Sequence, residues 1–439
     1  MAGTSTEKDC DSLKIVREAV DGLYDFRDHY FERNDIEKAI QKTEELGREL
    51  EKVLAQLDEH KDEIKSKADY LCQRGKAFNV MPEYNEEGLQ CLAKAVKLEP
   101  KLVEAWNHLG EGYWKKKDVE NARNCFTGAL NYSKNKVSLR NLSMVLRQLG
   151  KTPEEKADYI QKSVQHAKEA VQMDFKDGMS WFIAGNAYLT MFFASGQTAS
   201  VLKQCMGAYM QAERDPIAKN NPDLHFNRAV AYKYQEDYEL ALAGFGMASK
   251  LDPMWEEAKD KKQQLLEYLE NVTELVEAKG KLKNKKLHQL TSSIKESCLG
   301  PYSGGSYTSP NGKTVKLKHV QLSSLDEGLN AEKVVVGRVV CSVASEEPIP
   351  FTFAIVDSIG ACYAVTLYNI AQGQGVIIGD SVAIPEPYVT HINFAGRGDQ
   401  NIRFSSIRVN SPVVLVVNGK KLGIEKQAPT ILTVSAKSE

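Results

Sequence analysis

In the stretch EAWNHLGEGYWKKKDVENARNCFTGAL (residues 104–130), Trp106, Leu109, Gly110 and Tyr113 are followed, after a charged interval, by Ala122, Phe126 and Ala129. Spacings of +4 and +3 put each set on one face of a helix. Two amphipathic helices are predicted, with Gly110 and Ala122 where the backbones approach closely. Trp106, Tyr113 and Phe126 fill the space on either side, and residues 115–118 form the turn. Such a hairpin buries only one face, so it has to be repeated to make a core.

The order does recur. Leu71, Gly75 and Phe78 precede Gly88, Leu92, Ala95 and Pro100, with one extra residue in the turn; His225, Ala229 and Tyr232 precede Ala241, Phe245, Ala248 and Pro253. Two looser copies begin at Leu139, Leu142, Ser143 and Leu146, continuing through Ala167 and Ala170, and at Trp181, Gly185 and Tyr188, resuming at Tyr209 and Ala212. This order of small and large residues resembles the tetratricopeptide repeat, a helix hairpin of about 34 residues, and five copies over 66–253 exceed the roughly three a stable solenoid needs. Proline closes helices after Glu99 and Asp252. Residues 1–65 read as N-terminal helices, a degenerate sixth hairpin or a cap. Residues 254–290 (Trp255, Leu265, Leu266, Leu269, Leu282) read as one long amphipathic capping helix.

Near 291 the period changes. GPYSGGSYTSPNG (300–312) reads as a linker spanning 291–313. Beyond it VVVGRVVCSVA, PFTFAIV, CYAVTLY, DSVAI, IRFSSIRV and PVVLVV are short β-rich runs, with a weak helical segment at 369–377. The layout over 314–420 resembles an OB-fold-like barrel, with a small β-sandwich as the alternative, followed by a tail at 421–439. The expected fold class is therefore multidomain α + β: an all-α repeat solenoid, then an all-β barrel.

Composition narrows the function. The chain has no apolar run of membrane-spanning length and its first residues, MAGTSTEKDCDSLK, lack a signal-peptide core, so a cytoplasmic and nuclear protein with no membrane partner is expected. The eight scattered cysteines form no CxxC pair, which argues against disulfides and structural zinc. A net charge of −2 gives no global pull toward nucleic acid. No phosphate loop, GxSxG elbow or HExxH motif occurs, so neither an enzyme nor a bound cofactor or metal is expected. His225 stands where the repeat demands a packed side chain, GRGD (396–399) is a turn by composition, and AQGQG (371–375) is too short for a nucleotide loop.

First helices line the concave face of a repeat stack. Their second stripe, about 110° from the packing face at roughly 100° per residue, comprises Glu104, Asn107, Glu111 and Trp114, then Arg140, Met144 and Arg147, then Met179, Phe182 and Asn186, then Asp223, Phe226, Val230 and Lys233, with Glu257 opening the capping helix. Mixed charges there suit a short peptide carrying both signs, since a guanidinium and a carboxylate pair bidentately; a merely solvated helix face is the plainer reading. Lys279, Lys281, Lys283, Lys285 and Lys286 form a second feature, a phosphate or acidic-protein contact or a solvated face. On the barrel, Phe394, Arg397, Arg403, Phe404 and Arg408 fit either single-stranded nucleic acid, DNA included, or ordinary barrel packing.

With VSLRNLSMVLRQL (137–149), FTFAIVD (351–357), CYAVTLYNI (362–370) and GDSVAIPEP (379–387), nearly the whole chain resembles the tetratricopeptide repeat protein 5 family, also called Strap or stress-responsive activator cofactor. The resemblance implies a non-enzymatic adaptor. In the cytoplasm such proteins bind the Met-Arg-Glu start of nascent tubulin on the ribosome and, with an mRNA-decay adaptor, trigger tubulin mRNA decay. In the nucleus they act with an acetyltransferase coactivator and an actin-nucleating cofactor in a stress response. The family's peptide-contacting arginine corresponds to Arg147 within VLRQL, its acidic contacts to Asp223 in NPDL and Glu257 in DPxWxE, and its ribosome-facing lysines to Lys285 and Lys286. The chain departs from some relatives at Phe226 and across 231–240. A scaffold with protein partners only is the third expectation.

Overall fold

The computed structural model describes residues 3–428 apart from 305, 309–311, 313, 345–349 and 399. The chain divides into two compact units, Met1–Asp260 and Lys261–Glu439. The first is helical: α1 (Gly3–Asp28), α2 (Tyr30–Arg33), α3 (Lys42–Glu59), α4 (Lys67–Asn79), α5 (Glu86–Leu98), α6 (Val103–Lys115), α7 (Val119–Tyr132), α8 (Lys136–Leu146), α9 (Pro153–Met173), α10 (Gly178–Ala194), α11 (Ala199–Ala212), α12 (Pro216–Lys219), α13 (Pro222–Gln235) and α14 (Tyr238–Leu251). The next helix, α15 (Glu256–Glu277), begins in this unit and ends in the second. The hairpins α4/α5, α6/α7, α8/α9, α10/α11 and α13/α14 are the five repeats, and α1 packs on α3 and α4 as a further pair. A 3-10 turn at Ile36–Gln41 packs against both α3 and α14.

Local chemistry starts these helices where it does. Asn85, Asp118 and Asn135 accept the backbone N–H three residues on, and Thr152 with Glu155 makes a reciprocal capping box, so donors orphaned at each helix start are satisfied. The alternation of small and large residues then has a direct meaning. A Cβ built on Gly110 would come within 2.5 Å of the Phe126 ring, and one on Gly185 within 2.5 Å of the Tyr209 ring, so glycine lets each aromatic ring lie against the facing helix backbone. In α8/α9 Ser143 stands in the glycine place, and its Oγ meets Ser163 Oγ at 2.9 Å, which satisfies a buried hydroxyl.

The first packing position is also explained. Trp106 and Trp181 each donate their indole N–H to the carbonyl six residues earlier, Pro100 at 2.8 Å and Phe175 at 2.9 Å. His225 Nε2 makes the same bond to Lys219 at 2.7 Å, which requires the proton on that nitrogen. Desolvation lowers the pKa of His225, in keeping with a neutral packed ring.

The second unit departs from expectation at its start. Instead of one helix through 290, α15 ends at Glu277, a turn at Lys279–Lys281 follows, and α16 (Asn284–Ser292) resumes. Gly280 has φ 72°, and an added Cβ there would stand 2.4 Å from the Val340 carbonyl, so a tertiary contact breaks the helix. Nor are residues 291–313 a linker: the 3-10 segment Glu296–Tyr302 buries Cys298, Leu299 and Tyr302 against Val334, Val336, Ala383 and Val416, and the short strands Ser306–Thr308 and Thr314–Lys316 pair with each other.

Six longer strands follow: β1 (Lys333–Ser342), β2 (Phe351–Val356), β3 (Cys362–Leu367), β4 (Ser381–Pro385), β5 (Tyr388–Ala395) and β6 (Asn401–Val409). β1 pairs with β2 and β4, β2 with β3, β3 with β6 in parallel, and β6 with β5. β4 and β5 are halves of one strand bent at 386–387, where Glu386 has φ 43°, so the circuit returns to β1 as an OB-fold does. Val335, Val339, Phe353, Ile355, Val365, Leu367, Val382 and Ile407 fill its interior.

Three further sequence expectations for this unit change. Residues 369–377 hold no helix; they bridge at Ile370 to Gln427 and turn. PVVLVV is a 3-10 turn, Pro412–Val414, followed by the short strand Val416–Val417. The strand Lys420–Lys421 and the turn Ile424–Lys426 carry order past 420, into the start of the segment expected as a tail; 429–439 lie outside the described residues.

Candidate functional site

The first helices α6, α8, α10 and α13, with the start of α15, carry the predicted stripe, and its charged members differ in their surroundings. Around α4 and α6 the charges are consumed internally. Lys76 pairs with Glu104 at 2.7 Å and with Asp21 of α1 at 2.6 Å. The Tyr24 ring lies 5.8 Å from the His108 ring, and its hydroxyl donates to the Lys76 carbonyl at 3.0 Å. Glu111 accepts from His108 Nδ1 at 2.8 Å and from Asn141 at 3.4 Å. Burial would raise the Glu111 carboxyl, but the charge and hydrogen bond of His108, with Arg27 and Lys115 behind it, overcome burial and hold it down to about 2. Trp114 packs partly onto the cluster of Ala122, Phe126 and Leu142. Arg140, farther along, is bound to Asp177 at 3.1 Å.

Two stripe members are not groove-lining. Phe182 is buried in the core of α10/α11, and Asn107 is buried with Ser138 Oγ donating to its Oδ1 at 2.5 Å. Helical periodicity placed them on the open stripe because it registers the face within one helix and not which part of that face a neighbouring helix covers.

A second set is open. Arg147 follows the last turn of α8, half-buried, and donates through Nη1 to the Ile183 carbonyl at 3.3 Å; among the described residues it has no carboxylate partner. Desolvation pulls its guanidinium down to about 10, opposed by Tyr209, so it is still cationic at neutral pH. The Tyr209 hydroxyl donates to Asn186 Oδ1 at 2.8 Å, and Asn227 Nδ2 donates to the same oxygen at 3.2 Å. A cation with free donors thus stands beside a carboxamide pair, an arrangement that can hold a carboxylate and an extended peptide backbone.

Asp223 opens α13 and Glu257 opens α15; both are exposed, and neither side chain has a cationic partner among the described residues. Although Asp223 meets solvent, neighbouring groups remove part of its hydration and push its carboxyl above the usual range, with Asp252 adding to the rise. The charge that bears on Asp223 is therefore Asp252 rather than Arg147. Asp252 in turn acts on Lys42, whose ammonium is lowered chiefly by desolvation. Phe226 stacks on Trp255 at 4.5 Å beside these acids.

Stripe reasoning overlooked Tyr209 and Asn227, together with Arg27, which comes from outside the repeats. A signal was present: His108, Asn141 and Asn227 all stand two residues after the first packing position of their helices. Asn141 and Asn227 each reach a stripe residue of the preceding first helix, Glu111 and Asn186.

The nucleic-acid set on the barrel is not assembled. Phe404 is only 6 % exposed and cannot stack on a base. Arg397 is held by Glu267 and Glu270, and Arg408 lies 3.9 Å over the Tyr368 ring. Arg403 is left exposed, opposite Asn393 of β5. The β2–β3 face that OB-folds use for oligonucleotides is covered as well: the outward residues Thr352, Ala354, Ala364 and Thr366 are buried, and Tyr268 of α15 hydrogen-bonds Thr352 at 2.8 Å. Among the described residues there is no His/Cys/Asp/Glu group that could hold a metal, and no helix long and apolar enough to cross a membrane.

Comparison with known proteins agrees with this architecture. The family model for the Tetratricopeptide repeat protein 5 OB fold domain matches residues 316–431. Tetratricopeptide repeat protein 5 of Homo sapiens is 49% identical over 429 residues, covering 97% of each chain. The Mus musculus protein of that name is 50% identical over 418 residues, covering 95% of each. Among solved structures, a thermophilic tetratricopeptide repeat protein of Thermus thermophilus is 16% identical with a TM-score of 0.35, covering 45% of this chain and 93% of its own. YrrB, described as a repeat protein with an unusual peptide-binding site, is 19% identical with a TM-score of 0.32, covering 47% and 95%. Near-half identity along almost the full length, joined to the matched barrel, means that the chain belongs to the tetratricopeptide repeat protein 5 family.

Proposed function

We propose that the chain is a non-enzymatic adaptor whose repeat groove binds a short peptide carrying both charges, the ligand being the Met-Arg-Glu start of nascent tubulin on the ribosome and the outcome tubulin mRNA decay. The observation that supports it is a contrast within one groove. Glu104, Glu111 and Arg140 are neutralised by neighbours, whereas among the described residues Arg147, Asp223 and Glu257 have no ion-pair partner. Leaving a half-buried cation unpaired costs stability, so such a site is best explained by a ligand that supplies the missing carboxylate. A peptide glutamate would pair with Arg147, and its arginine or terminal amine with Asp223 and Glu257. The lysine segment would then contact the particle that presents the peptide.

Titrating the full chain with labelled Met-Arg-Glu-Ile at several pH values tests this. The raised carboxyl of Asp223 takes up a proton before an ordinary aspartate would, and once neutral it no longer attracts the peptide's cation. Affinity should therefore fall on acidification through that range, while Asp223→Asn should bind weakly throughout and lose the step. Equal affinity of Asp223→Asn and wild type at neutral pH would contradict the reading.

A further inference from the structure

The lysines of residues 279–286 are part of a built surface at one end of the barrel. At the start of the segment, the Lys279 ammonium lies 3.6 Å from where a Cβ on Gly360 would stand, in the β2–β3 turn that leaves Ile359 65 % exposed. At the far end, Leu290 of α16 reaches within 4.0 Å of the corresponding point on Gly379. Arg338 ties the two segments together there, donating to the Gly379 carbonyl at 2.9 Å and the Ser293 carbonyl at 3.0 Å. Gly379 directly follows Ile377 and Ile378, which are 72 % and 54 % exposed. The basic segment thus runs from one isoleucine-bearing turn to another.

Both turns are held rigidly. Ile377 N–H donates to Asp380 Oδ2 at 2.9 Å, Asp380 N–H donates back to the Ile377 carbonyl at 3.0 Å, and Val339 N–H donates to the Asp380 carbonyl at 2.9 Å. Asp357 accepts from the N–H groups of Leu322, Ile359 and Ala361. The turn carboxylates accept backbone hydrogen bonds, and among the described residues neither forms an ion pair with a lysine of the segment. Lys281 pairs with Glu274 at 2.8 Å, whereas Lys279, Lys283, Lys285 and Lys286 pair with no carboxylate among the described residues.

We infer that this face binds an acidic protein segment bearing aliphatic side chains: its carboxylates pair with the lysines, and its apolar groups cover Ile359, Ile377 and Ile378. Single-stranded nucleic acid fits less well, because a phosphate backbone gains nothing from exposed isoleucines and, among the described residues, no aromatic ring stands against these lysines for stacking. The inference rests on the lysine segment being a contact surface, as proposed above, and is independent of what the groove binds.

The test uses the full chain with three labelled probes: an amphipathic helical peptide of leucines and glutamates, the same peptide with glutamine for glutamate, and single-stranded RNA of matched charge. The glutamate peptide should bind and the glutamine peptide should not. Ile377→Ser/Ile378→Ser should weaken binding about 5-fold or more, since two partly buried side chains are lost, and Lys285→Glu/Lys286→Glu about 10-fold or more. Arg147→Met, which alters only the groove, should leave it unchanged. No binding of the glutamate peptide, an isoleucine variant indistinguishable from wild type, or tighter binding of the RNA than of the peptide would overturn the inference. Loss of Met-Arg-Glu-Ile binding in the same preparations would instead report on the groove.

Discussion

Replacing Phe126 by alanine should lower the unfolding free energy of the repeat unit by about 3–5 kcal/mol, because the ring is fully buried and the rigid site around it leaves a cavity. Its neighbours explain the size. Phe126 lies against the Gly110 backbone within its own hairpin and packs with Leu142, Val145 and Leu146 of the next one. It therefore belongs to two interfaces of an array whose stability is close to a sum of repeat and nearest-neighbour terms. Urea unfolding followed by circular dichroism should show a lower midpoint and a broader transition, as hairpins on either side of the weakened interface uncouple. A loss below about 1 kcal/mol would mean that the site collapses without a cavity, and that the large-small-large order is not what joins these hairpins.

The second large effect concerns binding rather than stability. Arg147→Met keeps most of the side-chain length and removes the charge and its donors, so affinity for Met-Arg-Glu-Ile should fall by about 2 kcal/mol or more, roughly 30-fold, with circular dichroism unchanged. The fold should tolerate the change, because the side-chain hydrogen bond that Arg147 makes among the described residues is a long one, to the Ile183 carbonyl at 3.3 Å. Arg147→Lys should restore only part of the affinity, since an ammonium cannot grip a carboxylate bidentately. A methionine variant that binds like wild type would exclude Arg147 from the site.

The repeat hairpins were legible because their signal is local: a 3.6-residue period with a small residue facing a large one survives without knowledge of the tertiary fold, as Gly110 with Phe126 and Gly185 with Tyr209 show. The break at Lys279–Lys281 was not, because lysines favour helix, one glycine is tolerated, and the cause is the distant Val340 carbonyl. β5 escaped notice for a related reason. Its apolar phase shifts between Val389 and Ile392, so the period of two that marks a half-buried strand is interrupted. In the candidate site, charge type and helix face put Arg147, Asp223 and Glu257 on the stripe, and family resemblance singled out the same three. Which charges would be neutralised was beyond the sequence, since Lys76, Asp21 and Arg27 reach the groove from other helices or from outside the repeats.

The central claim is that an uncompensated arginine reads a carboxylate in a short peptide. Titrating the full chain, and its Arg147→Met variant, with Met-Arg-Glu-Ile and with Met-Arg-Lys-Ile tests it most directly. The account predicts that wild type prefers the glutamate peptide by about 30-fold or more and that the preference disappears in the variant. Equal binding of the two peptides by wild type, or a preference that survives loss of the guanidinium, would contradict it.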